Sequence, residues 1–417
     1  MSTRANVPLA RAMRRPRDLL LAVLAGFLAV VLSAGGVVGQ SQPPAVGSEA
    51  PPLPGASADP TVPATPAVPR TRSLAKHEVF GFLPYWELAN AREAIQLDRL
   101  TTLAWFGVEA GRNGRLIWRQ GGSVPPGAAG WRDDRWRSLM ADAQAEGVRV
   151  VLTVERFSWS TSGRAQTIKL LRNRAARSRL ARQIRKELIE SGADGVNLDF
   201  EPLPAEVRDQ FTLFVRELRR VLERATTQAG RPSMQVTFDI TADVAAYDIP
   251  ALTADDAADA VFLMAYDFRN GSADYAASHS PLDDPESGFD IRTTVEELLG
   301  VADPAHTILG LPWYGRAWTT QGPEPFSPSR VGVRMTPPST SWYRDALPIA
   351  RENGRNYDPV AQTAWTTYVV KRPGCANCPE TWRQVWYDDV DGFGAKVAFA
   401  QEEGMRGVGM WALGYTG

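Results

Sequence analysis

The sequence predicts an α/β fold, a parallel (β/α)8 barrel, and three observations carry that prediction. Eight short apolar runs, rich in β-branched and aromatic residues, recur from His77 onward and alternate with stretches of helical spacing. That alternation is the pattern of parallel strands joined by crossover helices. Between the third and fourth runs, Leu180, Ile184 and Leu188 stand at i, i+4 spacing, the single stripe of a helix lying on a sheet. The fourth run, Asp194-Gly195-Val196-Asn197-Leu198-Asp199-Phe200-Glu201, is apolar at alternate positions and polar at the others. Successive strand side chains point to opposite faces, so Val196, Leu198 and Phe200 face the helices while Asn197, Asp199 and Glu201 share the other side. The interior mouth of a barrel is a place where such a strand can put its acids.

The predicted strands are 79–84, 100–108, 148–154, the octapeptide, 234–240, 260–266, 307–313 and 407–412. A helix around 136–145 precedes the third strand, and one long helix is expected between the third and fourth. Its cations, Arg164, Lys169, Arg172, Arg174, Arg177, Arg179, Arg182, Arg185 and Lys186, read as a solvated outer face, with contact to an anionic wall polymer or lipid head groups as the alternative. A stretch at about 320–387, rich in Pro, Trp and Tyr, interrupts the alternation and holds a strand pair at 364–370 and 381–387. The barrel unit is expected over 76–417. No helix follows the eighth strand before Gly417, so that flank is left open, is covered by another segment, or belongs to a longer chain.

The ends and the composition bound the function. The 417 residues carry 46 Lys plus Arg against 47 Asp plus Glu, a balance that does not point to nucleic acid as a partner. Arg4, Arg11, Arg14, Arg15 and Arg17 precede an uncharged run over 19–38, the layout of a secretory signal or a membrane anchor within 1–39. Residues 40–75 are mostly Pro, Ala, Ser, Val and Thr, too poor in large apolar side chains to fold, and read as an extended linker. Extracellular or cell-surface location, with membrane contact through the N-terminal segment alone, is the expectation. The two cysteines, Cys375 and Cys378, suit a small disulfide loop in an exported chain better than a zinc site. His77, His279 and His306 are scattered, His279 reading as a solvated loop residue, and no zinc-protease, serine-hydrolase or phosphate-loop motif is present.

Asp199 and Glu201 have Cα atoms roughly 6–7 Å apart if the strand is regular. Two carboxylates that close repel, and the more desolvated one keeps its proton. A proton donor beside an anion is equipment for breaking an acetal. Acids also cap helices, and Pro202 and Pro204 would start one here.

The residues around the acids decide between these readings. The octapeptide resembles the Asp-Gly-x-Asp-x-Asp-x-Glu signature of glycoside hydrolase family 18, the chitinase-like (β/α)8 barrels. Asn197 departs from it and resembles the branch containing spore-cortex and cell-wall N-acetylglucosaminidases. Met264-Ala265-Tyr266-Asp267 matches the family's Met-x-Tyr-Asp element, and Trp411 matches the Trp that floors its sugar site. Leu311 to Trp318 resembles its seventh-strand motif.

The resemblance implies hydrolysis of β-1,4-linked N-acetylglucosamine glycans, chitin oligomers or peptidoglycan, with retained stereochemistry. Glu201 would be the acid and later the base, Asp199 would orient the sugar's acetamido group, and Tyr266 would hold its oxygen. Asn197, Asp267, Trp411, Tyr314, Arg316, Tyr85 and Trp86 would bind substrate. It implies no metal or cofactor, and a monomer is expected. The reading from a different class is a catalytically silent, lectin-like sugar-binding barrel, against which the retained Glu201, Asp199, Tyr266 and Trp411 weigh.

Overall fold

The computed structural model describes residues 77–230, 232–269, 273–329, 339–371 and 380–417. The signal or anchor, the linker, and Cys375 and Cys378 lie outside the described residues.

Eight parallel strands close the barrel: β1 (Glu78–Pro84), β2 (Thr102–Glu109), β3 (Arg149–Phe157), β4 (Gly195–Glu201), β5 (Gln235–Ile240), β6 (Ala260–Met264), β7 (Thr307–Pro312) and, after an insertion, β13 (Gly407–Trp411). Around the ring they run β1-β13-β7-β6-β5-β4-β3-β2. Their alternation builds two cores. Val196, Leu198 and Phe200 join Leu152, Val236, Phe238, Leu263 and Leu309 in the shell under the helices, where Leu180, Ile184, Leu188, Phe211 and Phe214 meet them. Phe80, Phe82, Val151, Phe262, Met264 and Ile308 fill the barrel interior. The Phe262 ring lies so close to Gly310 and Gly409 that a Cβ on either would stand 2.2 Å from it. Two neighbouring strands therefore give up a side chain to let one ring fill the bore.

Three features differ from expectation. The single helix before β4 is two, Thr161–Arg172 and Arg174–Ser191. Asn173 stands between them in extended conformation, its side chain accepting from the Ala176 N–H at 3.1 Å, so it caps the second helix. Arg177 among the expected surface cations is buried, donating to the Leu171 carbonyl, while Arg164 pairs with Glu206 and Lys186 with Glu190.

The second difference is that β3 runs past Val154 to Phe157, which carries Glu155 into the barrel mouth. Thirdly, the insertion begins at Tyr314 rather than near 320. β8 (Tyr314–Thr320) leaves the barrel directly after Trp313 and enters an antiparallel sheet with β9 (Ser339–Trp342), β10 (Asn356–Asp358), β11 (Thr363–Val370) and β12 (Thr381–Tyr387), in the order β10-β11-β12-β8-β9. The helix Tyr343–Asn353 covers it through Ala346 and Ala350. Past β13, Leu413 turns back to donate its N–H to the Phe82 carbonyl at 2.9 Å.

Candidate active site

β4 ends at the mouth of the barrel with Asn197, Asp199 and Glu201 on the interior side, all three buried. The register sets Glu155 of β3 beside Asp199, and Phe157 beside Glu201. On the other side Asn197 pairs with Thr237 of β5, and the next interior position on β5 is Asp239. Four acids from three adjacent strands therefore crowd one hollow.

Asn197 is held at both ends. Its Nδ2 donates to Asp239 Oδ2 at 2.7 Å, and its Oδ1 accepts from the Thr237 hydroxyl at 2.7 Å. By contrast, Oδ1 of Asp199, Oδ1 of Asp239 and Oε2 of Glu201 are buried with no hydrogen-bond partner among the described residues. Burial, then the charge of Asp199, and then those of Asp267 and Glu155 raise the Glu201 carboxyl well above its ordinary value. Asp199 is raised by burial, by Asp239 and by Glu155. Burial raises Asp239 against the lowering bond from Asn197, and Glu201 adds to the rise. Glu155 is lifted to about 8 by burial and by Glu109, with Arg156 opposing. A hollow of this kind keeps protons on carboxyl groups at neutral pH.

Tyr266 faces the same hollow, just beyond β6. Burial leads the causes that keep its phenol protonated far past its usual range, with Tyr314 next and then Asp239, Glu201 and Asp199. A phenol that cannot ionise is a fixed neutral donor.

Asp267, the next residue, has φ 59°, the left-handed region. Its carboxylate accepts from Arg316 Nε at 3.1 Å and from a terminal guanidinium nitrogen at 2.5 Å, and His279 Nδ1 lies 3.3 Å away. Burial alone would raise Asp267, but Arg316 and His279 hold it well below the usual carboxylate range. His279 is buried rather than solvated, because its other nitrogen, Nε2, bonds the Tyr314 carbonyl at 3.0 Å and locks the ring between the loop and β8. Tyr314 and Arg316 are likewise buried. Arg316 is occupied by Asp267 and by the Thr340 hydroxyl at 3.0 Å, so in this state it fixes Asp267.

An aromatic wall stands opposite. Trp411 lies edge-on to Phe106 at 4.5 Å between ring centres and near Phe82 at 5.7 Å and Trp86 at 6.3 Å. Trp86 is 38% exposed and donates its indole N–H to Tyr415 Oη at 3.3 Å. Tyr85 packs edge-on against Trp86 at 4.8 Å, and its phenol is raised by burial and by Glu155, which sets it beside the acids. Tyr415 in turn stacks on Trp342 of the insertion, 5.6 Å between ring centres. Flat apolar rings beside buried proton donors suit a pyranose, which has an apolar face and polar edges.

The structure thus gathers Glu201, Asp199, Asn197 and Tyr266 in one hollow, with Tyr85, Trp86 and Trp411 along its wall. Glu155, Asp239, Phe106, Trp342 and Tyr415 were absent from the sequence reading. The signal for the two acids is alternation. Val151, Thr153, Glu155 and Phe157 share one face of β3, and Gln235, Thr237 and Asp239 share one face of β5.

Residues 78–415 match the family model described as Glycosyl hydrolases family 18. The chain belongs to that family. It is 27% identical over 247 residues to a probable endochitinase of Caenorhabditis elegans, covering 54% of this chain and 37% of that one. It is 25% identical over 252 residues to the putative sporulation-specific glycosylase YdhD of Bacillus subtilis (strain 168), covering 60% and 54%. The cortical fragment-lytic enzyme of the same organism is 25% identical over 338 residues, covering 78% and 67%. The chain thus spans about half the length, or less, of the first two of these relatives. Among solved structures, a family 18 chitinase from Cycas revoluta superposes with a TM-score of 0.67 at 20% identity, covering 81% of this chain and 95% of that one. A chitinase-like agglutinin from Robinia pseudoacacia gives 0.65 at 18% identity over 81% and 95%. Both share the family 18 barrel.

Proposed function

We propose that this family 18 protein is an exported retaining glycosidase that hydrolyses β-1,4-linked N-acetylglucosamine glycans with help from the substrate's own acetamido group. One observation carries the reading. The acid, Glu201, and its neighbour Asp199 lie on the same strand, and the strongly ionised carboxylate of the hollow, Asp267, is held by Arg316 and His279. A double-displacement glycosidase needs a free carboxylate across the bond from the acid, about 5–5.5 Å away. Here the nucleophile comes from the sugar.

In the first step Glu201 gives its proton to the glycosidic oxygen as the acetamido carbonyl oxygen attacks C1. The leaving sugar departs and an oxazolinium ring forms. Asp199 accepts from the amide N–H and stabilises its positive charge, while Tyr266 donates to the acetamido oxygen. Water then adds to C1, Glu201 takes its proton, and the ring opens with the original configuration.

The relatives named as chitinases support a chitin-type substrate, and the cortical fragment-lytic enzyme supports a wall glycan. Mass spectrometry of products from chitohexaose and from purified wall glycan, with Glu201→Gln as control, tests the proposal. Products from either substrate that vanish in the variant support it. Binding without cleavage by the wild-type chain makes it a lectin instead.

A further inference from the structure

We propose that Asp239 is the positioning partner of Asp199, the two carboxyl groups holding one proton between them so that Asp199 can become an anion when the sugar's amide turns cationic. This rests on the glycosidase reading and adds to it a residue outside the signature strand.

The geometry starts with Asn197. A carboxamide does not titrate near neutral pH, so it neither takes a proton from Asp199 nor gives one, and here its Nδ2 donates to Asp239 while its Oδ1 accepts from Thr237. What it does is clamp one oxygen of Asp239. The other oxygen is left buried and unpartnered among the described residues, and so is Oδ1 of Asp199. Asn197 pairs with Thr237 across β4 and β5, so the next interior positions, Asp199 and Asp239, occupy the same level of adjacent strands.

Among the described residues no cation answers the two acids. The groups that face Asp239 are Asn197, Thr237, Glu201, Tyr247 and Tyr266. Those that face Asp199 include Glu155 and the same two phenols. Arg156, the cation nearest Glu155, is turned to Glu109 and the Ala110 carbonyl, and Arg316 to Asp267. Two adjacent buried carboxyl groups without a counter-ion cannot both ionise, and they titrate as a pair. Burial raises both, with the charge of Asp239 adding to the rise of Asp199 and that of Glu201 to the rise of Asp239, in line with a proton retained at neutrality.

The proton count closes without an outside acid. As Glu201 delivers its proton to the glycosidic oxygen, the shared proton settles on Asp239. That leaves Asp199 anionic against the amide and Asp239 neutral. When water has added and Glu201 is reprotonated, the shared position is restored.

The test compares Asp239→Asn with Asp239→Leu in the full chain, reading kcat, KM and the pH profile on a fluorogenic chitooligosaccharide. The asparagine still offers an N–H toward Asp199, so kcat stays within about tenfold of wild type. Leucine removes the donor, and kcat falls by about a hundredfold, the scale of a lost proton-handling partner, with KM little changed. Its acid limb moves to higher pH, because Asp199 is then harder to ionise. Asp239→Ala gives the same readout if leucine does not fold. An unmoved acid limb in the apolar variant, or asparagine as damaging as leucine, overturns the inference. A wild-type chain that does not turn over at all instead removes the glycosidase reading beneath it.

Discussion

Burial, then Asp199 on its own strand, and then Asp267 and Glu155 in the same hollow raise Glu201 well above the ordinary glutamate value. The sign of its effect on stability follows. An unfolded glutamate titrates near 4.3. A folded pKa above that value favours folding below the unfolded pKa, and the advantage is lost as pH rises toward the folded one. At neutral pH the burial of Glu201 therefore opposes folding. Glu201→Gln is expected to lose activity by at least about 10²–10⁴-fold and to melt at the same temperature as wild type at pH 5 but a few degrees higher at pH 8. Calorimetry at the two pH values checks it, and a variant less stable at pH 8 would contradict it. Arg316→Gln behaves oppositely. It strips the partner from a buried carboxylate, and a chemical denaturation series is expected to show a loss of about 3–5 kcal/mol.

At the scale of elements, Phe262 ties three strands together. Gly409→Ala forces its methyl into that ring, with an expected cost of about 1–3 kcal/mol. Adding Phe262→Leu should recover part of it in the same denaturation assay; no recovery would show that the ring is not the obstacle. The eight strands were legible because each is a short apolar run, rich in β-branched and aromatic residues, set between stretches of helical spacing. So were Asp199, Glu201 and Tyr266, which end strands in strongly patterned segments. Glu155 was not, because the apolar run of β3 stops at Val154 and backbone pairing with β2 and β4 carries the strand onward. Asn173 hid for a related reason, since the helical spacing continues on both sides of it and the cap is made by a single side chain. The roles of Tyr314 and Arg316 depend on β8 leaving the barrel, a tertiary event with no local signal. His279 reads as an exposed residue until its two partners, Asp267 and the Tyr314 carbonyl, are brought to it by that same strand.

Across the whole molecule the two ends of the barrel titrate in opposite senses. At the end away from the site, Glu78 binds Arg149, Arg406 and the hydroxyls of Thr101 and Thr102. Burial would raise Glu78, but Arg149, Thr102 and Arg406 lower it to about 2. Its support for the fold is present above the unfolded glutamate value and is lost as pH falls toward about 2. Glu155, Asp199, Glu201 and Asp239 at the mouth do the reverse, weakening the fold as pH rises. Stability is therefore expected to peak on the acid side of neutral. Glu78→Gln should lower stability at neutral pH and flatten the loss of stability toward acid while leaving kcat unchanged, and a circular-dichroism melt series across pH, with kcat measured alongside, checks it.

In the proposed reaction a carboxylic acid on β4 and the substrate's own amide share the work of bond cleavage. Proton NMR of the anomeric region during the first moments of chitopentaose hydrolysis addresses it most directly. The newly formed reducing ends are expected to appear as the β-anomer before mutarotation, and Glu201→Gln to yield none. New reducing ends that appear first as the α-anomer, or undiminished cleavage in the variant, would contradict it.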